Sequence, residues 1–168
     1  MKSALAVMLS AAALLSAAEG QTGEHCASAQ YHQFDFVLGN WLVRESSGNV
    51  VGTATFAKQY GGCVMIETWL GVGKAGASLG IIGFDRKKDR WHRDFLDPDG
   101  VVRSLEGTRN GPAMVMTGKD YPASGVRINR VIWMLTTEGT VEERWQTSSD
   151  DGRTWQVRFT GTFKRIAE

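Results

Sequence analysis

Apolar and polar residues alternate in short segments from residue 40 to the end of the chain, with glycine-rich turns between them. Such alternation predicts β-strands, because successive side chains of a strand point to opposite faces of a sheet. Helical periodicity is almost absent from these residues, which indicates an all-β domain. The pattern predicts ten strands, at Asn40–Glu45, Val51–Tyr60, Val64–Leu70, Ser78–Phe84, Arg90–Leu96, Val101–Gly107, Ala113–Thr117, Val126–Leu135, Thr140–Thr147 and Trp155–Arg165.

The links between these strands are short and carry turn residues, as in Ser47-Gly48-Asn49, Asn110-Gly111-Pro112 and Asp150-Asp151-Gly152. Links of this kind join neighbouring antiparallel strands as hairpins, whereas a β-sandwich needs longer crossovers. Pairing the first strand with the last would leave no exposed sheet edge. We therefore predict an antiparallel up-and-down β-barrel of about ten strands, preceded by a short helical turn within Tyr31–Leu38.

Residues 1–20 have the pattern of a secretory signal peptide. Lys2 supplies a positive start, Leu5–Leu15 is apolar apart from Ser10, and Ser16–Gly20 offers small residues for cleavage. This apolar run is too short for a membrane anchor, and no later segment is apolar for long enough to span a bilayer. We expect residues 21–168 to form one exported domain without a membrane span, located in the periplasm or secreted.

Alternation also predicts which side chains share a face of a strand. Glu67, Arg93 and Glu143 each stand between large apolar residues, and an unpaired charge on an inward face would be costly. The faces concerned are Met65, Glu67 and Trp69; Trp91, Arg93 and Phe95, opposite His92 and Asp94; and Val141, Glu143 and Trp145. On the last strand, one face carries Trp155, Val157, Phe159, Gly161 and Phe163, and the other carries Arg158.

Charge and cysteine content narrow the class of protein. Lysine and arginine total 19 and aspartate and glutamate 18, a balance that argues against general nucleic-acid binding. Cys26 and Cys63 are the only cysteines, and in an oxidising compartment such a pair is more often a disulfide than a reactive dithiol. Two cysteines and three scattered histidines lack the ligand spacing of a zinc site. His92 faces away from Trp91 and does not suit haem ligation, so we expect no metal or cofactor.

Gly39-Asn40-Trp41 opens the first predicted strand. Glycine lets the chain bend sharply into the strand, and the indole can close one end of a barrel. A basic residue of the last strand over that indole would add a cation–π contact of about 0.5–2 kcal/mol. Arg165 is the first candidate for this contact and Arg158 the second, and the motif is interpreted as structural.

Residues 148–155 match the Asp-box pattern Ser-x-Asp-x-Gly-x-Thr-Trp that is familiar from sialidases. A sialidase propeller repeats such boxes over several four-stranded blades, whereas this sequence has one box and no repeat. The box is therefore interpreted as a hairpin device. Asp150 would accept backbone hydrogen bonds, Gly152 would adopt a positive φ and Trp155 would pack beneath the turn.

Glu67 is the candidate functional carboxylate. Burial beside Met65 and Trp69 would suit it to proton transfer. The competing interpretation is an ion pair with Arg93 or Arg130 in a structural network.

Phe34-Asp35-Phe36-x-x-Gly39-x-Trp41 resembles the opening of a family of exported bacterial proteins with a calycin-like, lipocalin-like barrel. The other matching segments are Gly-Gly-Cys-x-x-x-Glu-x-Trp at Gly61–Trp69, Gly-x-Ser-Leu at Gly76–Leu79, Arg-x-x-Trp at Arg130–Trp133 and the Asp-box ending. The resemblance implies a calycin-like barrel from about Cys26 to Arg165 and a Cys26–Cys63 disulfide, and it singles out Glu67, Trp69 and Ser78. It carries over no catalytic residue. The opening is also distantly similar to nitrobindin-type haem barrels, whose haem-ligating histidine has no clear counterpart here.

We expect the barrel to bind a small, mainly apolar molecule between aromatic walls and one or two charged anchors. One alternative is a cofactor-free lyase or isomerase that uses Glu67 as its acid or base, and another is a ligand-free interaction module of the cell envelope. The candidate ligand-contacting residues are Glu67, Trp69, Ser78, Trp91, Arg93, Arg130, Glu143 and Trp145. The residues expected to be structural are Gly39, Trp41, Asp150, Gly152 and Trp155.

Overall fold

A computed structural model describes residues 26–73 and 76–166, so the predicted signal peptide lies outside the described residues. Ten antiparallel strands form a closed barrel, in which consecutive strands pair and the first pairs with the last. This confirms the predicted fold class. The strands are β1 Gly39–Glu45, β2 Val50–Gln59, β3 Val64–Gly71, β4 Ala77–Asp85, β5 Arg90–Leu96, β6 Val102–Asn110, β7 Ala113–Asp120, β8 Arg127–Leu135, β9 Val141–Ser148 and β10 Gln156–Arg165.

Two 3-10 helices, Ala29–His32 and Asp35–Val37, precede β1 and confirm the predicted helical turn. Between them, the ring of Phe34 is fully buried, with its centroid 5.6 Å from that of Trp91 and 5.4 Å from that of Trp133. Residues 26–38 therefore close one end of the barrel, and we call them the plug. The plugged end is the closed end, and the opposite one is the open end.

A disulfide joins Cys26, at the start of the plug, to Cys63, in the turn between β2 and β3. The predicted pairing is confirmed. Because the plug is also covalently continuous with β1, this bond fixes it to the closed end from both sides. No helix in the described part of the chain is long and apolar enough to cross a bilayer.

Trp41 anchors the plug to the barrel wall. Its indole Nε1 donates a hydrogen bond to the carbonyl oxygen of Val37 at 2.7 Å. The Arg165 guanidinium lies 4.4 Å from the centre of the Trp41 ring, and Arg165 Nη1 donates to the carbonyl oxygen of Leu38 at 2.9 Å. Gly39 has φ +114°, and a Cβ there would lie 2.6 Å from Arg165 Nη1, so glycine is required on both counts. The cation–π partner is thus Arg165 and not Arg158.

The Asp-box residues form the turn between β9 and β10. The side chain and the backbone N–H of Thr154 donate to the Asp150 carboxylate, and Ser148 Oγ donates to it as well. These hydrogen bonds hold the pKa of Asp150 well below its usual range, the Thr154 hydroxyl contributing most. Gly152 has φ +84° and accepts a hydrogen bond from Trp155 Nε1 at 2.9 Å. The contacts are those of a turn that aims β10.

Strand β10 departs from the predicted alternation. Val157 pairs with Gln146 and Phe159 pairs with Trp145, so Arg158 is an extra residue in the ladder. Such a β-bulge shifts the in–out pattern by one residue. Val157 consequently points outward with 57% of its surface exposed, while Arg158 and Phe159 both line the cavity, Arg158 as an exposed residue and Phe159 as a half-buried one. The prediction that Val157 shares a face with Phe159 and that Arg158 lies on the opposite face was therefore wrong.

Candidate ligand-binding site

The barrel encloses a cavity of about 270 Å³ on the side of the open end. This volume lies just below the usual range for drug-sized ligands, so it suits a smaller molecule. Its walls are mainly aromatic and aliphatic, with six polar side chains among them. The apolar residues are Trp69, Phe95, Leu105, Val131, Trp145, Phe159 and Phe163, and the polar ones are Glu67, Arg93, Arg103, Asn129, Glu143 and Arg158.

Glu67 and Arg93 form a bidentate ion pair across β3 and β5. Arg93 Nε donates to Glu67 Oε2 and Arg93 Nη2 to Glu67 Oε1, both at 2.9 Å, and each residue has only 5% of its surface exposed. The guanidinium also lies 4.4 Å from the ring centre of Phe95. Two buried charges are tolerated when they are paired and hydrogen-bonded in this way. Of the two interpretations of Glu67, the geometry is that of the ion pair.

Glu143 is the second carboxylate of the cavity. The Glu143 side chain is surrounded by the barrel wall. It is only half-buried, because it borders the open cavity. Removal from bulk water raises the pKa of Glu143 to about 7; the charge of Arg93 lowers it and that of Glu67 raises it. The indole N–H of Trp133, its cross-strand neighbour, lowers the pKa further without a well-aligned hydrogen bond. Glu143 can therefore offer a ligand either a carboxyl O–H or a carboxylate near neutral pH.

Two more polar side chains of the lining, those of Asn129 and Arg103, contact Trp145 toward the open end. The indole N–H of Trp145 donates to Asn129 Oδ1 at 3.0 Å, and the guanidinium of Arg103 lies 5.4 Å from the ring centre. Arg103 is ion-paired with Asp97. Its Nε is buried and makes no hydrogen bond with a described residue, and Asp120 Oδ2 lies 4.0 Å from it, too far for one.

Arg158 completes the wall at the open end. Its Nε donates to Thr147 Oγ1 at 2.7 Å. Among the described residues, neither Nη nitrogen has a hydrogen-bond or ion-pair partner. Arg158 is thus the cation of the lining that has no carboxylate beside it within the described structure.

The structure brings five of the predicted ligand-contacting residues together and leaves three outside the cavity. The five in the lining are Glu67, Trp69, Arg93, Glu143 and Trp145. Trp91 packs at the closed end against Phe34 and Phe84. Arg130 lies on the outer face, 3.8 Å from the ring centre of Trp155 and hydrogen-bonded to Gln146. Ser78 pairs with Trp69 across β3 and β4, and its Oγ is buried without a partner among the described residues.

Sequence reasoning missed Arg103, Asn129 and Arg158 as lining residues. Alternation contained a signal for two of them, because Arg103 shares a face with Leu105, and Asn129 shares one with Val131 and Trp133. Arg158 had no such signal, since only the bulge turns it inward.

No family model matches this chain, and no curated protein is significantly similar to it. The ten-stranded barrel stands on the structure alone, and the family suggested by the opening motif stays a sequence-based prediction.

Proposed function

We propose that this protein is an exported, calycin-like binding protein that holds a small, mainly apolar molecule inside the barrel. The observation that carries the proposal is the cavity of about 270 Å³ between aromatic walls. A space of that size has room for several waters. Water there would face mostly aromatic and aliphatic groups, so replacing it with an apolar ligand is favourable.

The polar groups of the cavity suit anchoring better than chemistry at Glu67. Both carboxylate oxygens of Glu67 accept hydrogen bonds from Arg93, which leaves this group poorly placed to take a proton from a substrate. The ion pair is well placed, however, to present a fixed polar surface to a bound molecule. The open interior likewise favours a binding protein over a ligand-free interaction module, for which a filled barrel would serve.

Binding can be tested with N-phenylnaphthylamine (NPN), a neutral aromatic dye whose emission rises in apolar sites. Val131 is 2% exposed and lines the cavity. We expect the wild-type protein to bind NPN. Val131→Phe should bind it at least tenfold more weakly, a loss of about 1.4 kcal/mol, because the added ring fills the cavity. Val131→Ala should retain binding. Fluorescence titration gives the three dissociation constants.

The two substitutions at one position control for each other, and circular dichroism checks that both variants fold. Leu105→Phe, on β6 and two strands away from Val131, repeats the filling experiment at a second position. Equal NPN affinity in the wild type and both filled variants would contradict binding inside the barrel. Native mass spectrometry of protein purified from its own compartment is a separate experiment that would identify a natural ligand.

A further inference from the structure

We propose that the ligand is an organic anion, a small apolar body with one carboxylate or sulfonate group, and that Arg158 holds this group at the open end. The inference rests on the proposed binding function and specifies its ligand class. It starts from the bulge in β10, which changes the direction of a single charged side chain.

The bulge places two consecutive residues of β10 in the cavity wall. A regular strand would direct Arg158 to solvent, because Phe159 faces inward. The extra residue in the ladder opposite Gln146 and Trp145 lets both side chains line the cavity, although Arg158 also keeps exposed surface. Bulges commonly re-aim a side chain beside a functional site. Here the side chain that is re-aimed carries a full positive charge.

The charges of the cavity do not balance at the open end. Glu67 neutralises Arg93, and Asp97 neutralises Arg103. Asp120, the next carboxylate at this end, is ion-paired with Arg127. Arg158 has no carboxylate partner among the described residues, and Arg103 Nε lacks a hydrogen-bond acceptor there. An anion bound at the open end would supply acceptors to both arginines.

The hydrogen bond from Arg158 Nε to Thr147 fixes the guanidinium and leaves its two Nη nitrogens available. This pair of donors matches the two oxygens of a carboxylate or sulfonate. Trp145 pairs with Phe159 beside Arg158, so an apolar body attached to the anion would lie against aromatic rings. Glu143, one inward position deeper on β9, disfavours an anion at the bottom whenever it is ionised, which favours the orientation with the anion at the open end.

The test compares NPN with anilinonaphthalene sulfonate (ANS), which has the same aromatic skeleton and adds a sulfonate. We expect the wild-type protein to bind ANS more tightly than NPN. Arg158→Gln should weaken ANS binding about tenfold and leave NPN binding unchanged, because it removes only the charge-assisted contact. Arg158→Lys keeps the positive charge but loses the two parallel donors of the guanidinium. Its affinity for ANS should therefore lie between those of the wild type and Arg158→Gln.

Arg153→Gln is the matched control. Arg153 lies in the β9–β10 turn that precedes Arg158, is exposed and donates from Nε to the carbonyl oxygen of Asp150, and it is not among the residues that line the cavity. Arg153→Gln should leave the affinities for ANS and NPN unchanged. Val131→Phe should abolish the fluorescence of ANS bound in the cavity.

The outcomes separate the two proposals. If NPN binds and Arg158→Gln leaves ANS affinity unchanged, or weakens both dyes equally, the anion site is overturned and the binding function stands. An ANS signal that survives Val131→Phe would place the dye on the outer surface and also overturn the anion site. If neither dye binds the wild-type protein, both proposals are overturned.

Discussion

A carboxyl group enclosed in a barrel wall responds to pH differently from one on the surface. The fold raises the pKa of Glu143 from 4.5 to about 7, so the neutral form is favoured in the folded state. Below pH 4.5 the group is protonated in both states and carries no penalty. Between pH 4.5 and about 7 the unfolded chain loses this proton while the folded protein retains it, so stability falls across this window; above about 7 the folded protein holds a desolvated charge and the loss is complete. The shift of about 2.5 pH units corresponds to at most about 3 kcal/mol, less where cavity water screens the charge.

Glu143→Gln should therefore gain stability relative to the wild type as pH rises. We expect a small difference in the free energy of unfolding at pH 5 and a difference of about 2–3 kcal/mol in favour of the variant at pH 8. Urea unfolding of both proteins across this range measures it, and groups common to both, including His32 and His92, cancel in the comparison. Glu142→Gln, an exposed neighbour, is the control and should show no such trend. Parallel stability curves for wild type and Glu143→Gln would contradict the prediction.

Strand β4 has to leave room for the ion pair on β3. Gly80 pairs with Glu67, and a Cβ at Gly80 would lie 2.6 Å from Glu67 Oε2 and 3.0 Å from Glu67 Cβ. Gly83, on the same strand, has space for a methyl group, with its nearest neighbour 3.7 Å away. Gly80 therefore positions the Glu67–Arg93 pair, although it carries no side chain of its own.

Gly80→Ala should lower the free energy of unfolding by about 1–3 kcal/mol, because the methyl group must displace Glu67 from Arg93. Gly83→Ala should change it by less than about 1 kcal/mol, since the added methyl meets only ordinary contacts. Denaturant unfolding of the two variants provides the comparison. Similar losses at both positions would mean that the strand disfavours any side chain and that the Glu67 contact is not the cause.

The elements were predictable because their signals are local. Strands, hairpin turns and the helical turn before β1 follow from alternation and turn chemistry within a few residues, as at Arg90–Leu96, where prediction and structure agree.

The candidate site could not be predicted in the same way, because it depends on packing between residues that are far apart in the sequence. The raised pKa of Glu143 needs three other strands around it, and Arg158 enters the cavity through a bulge that the alternating sequence conceals. Arg130 was predicted to contact the ligand, but its neighbours Asn129 and Val131 face inward, so alternation directs Arg130 to the outer face of β8.

At the scale of the whole molecule, the two ends of the barrel are built differently. The closed end is filled by the plug and fixed by the Cys26–Cys63 disulfide, whereas the open end holds the cavity and Arg158, which has no carboxylate partner among the described residues. The disulfide spans 37 residues of sequence, which include the plug, β1 and β2. It should therefore stabilise the closed end by limiting the freedom of the unfolded chain.

Replacing both cysteines by serine should lower the free energy of unfolding by about 2–4 kcal/mol. The barrel should still form, because all ten strand pairings are independent of the disulfide. Guanidinium unfolding of the double variant, and of the wild type with and without reductant, measures the loss. An unchanged midpoint in both comparisons would show that the plug is held by its packing alone.

The order of the strands has a consequence for protein engineering. In an up-and-down barrel the open-end turns join β1 to β2, β3 to β4, β5 to β6, β7 to β8 and β9 to β10, and each connects strands that are already paired along their length. Doubling the length of such a loop costs only about 0.6 kcal/mol in closure entropy. Five loops around one mouth could thus be exchanged for longer, randomised ones while the plugged end preserves the fold. The barrel would then serve as a scaffold for selecting new binders, in which the loops grip large targets and the interior small ones.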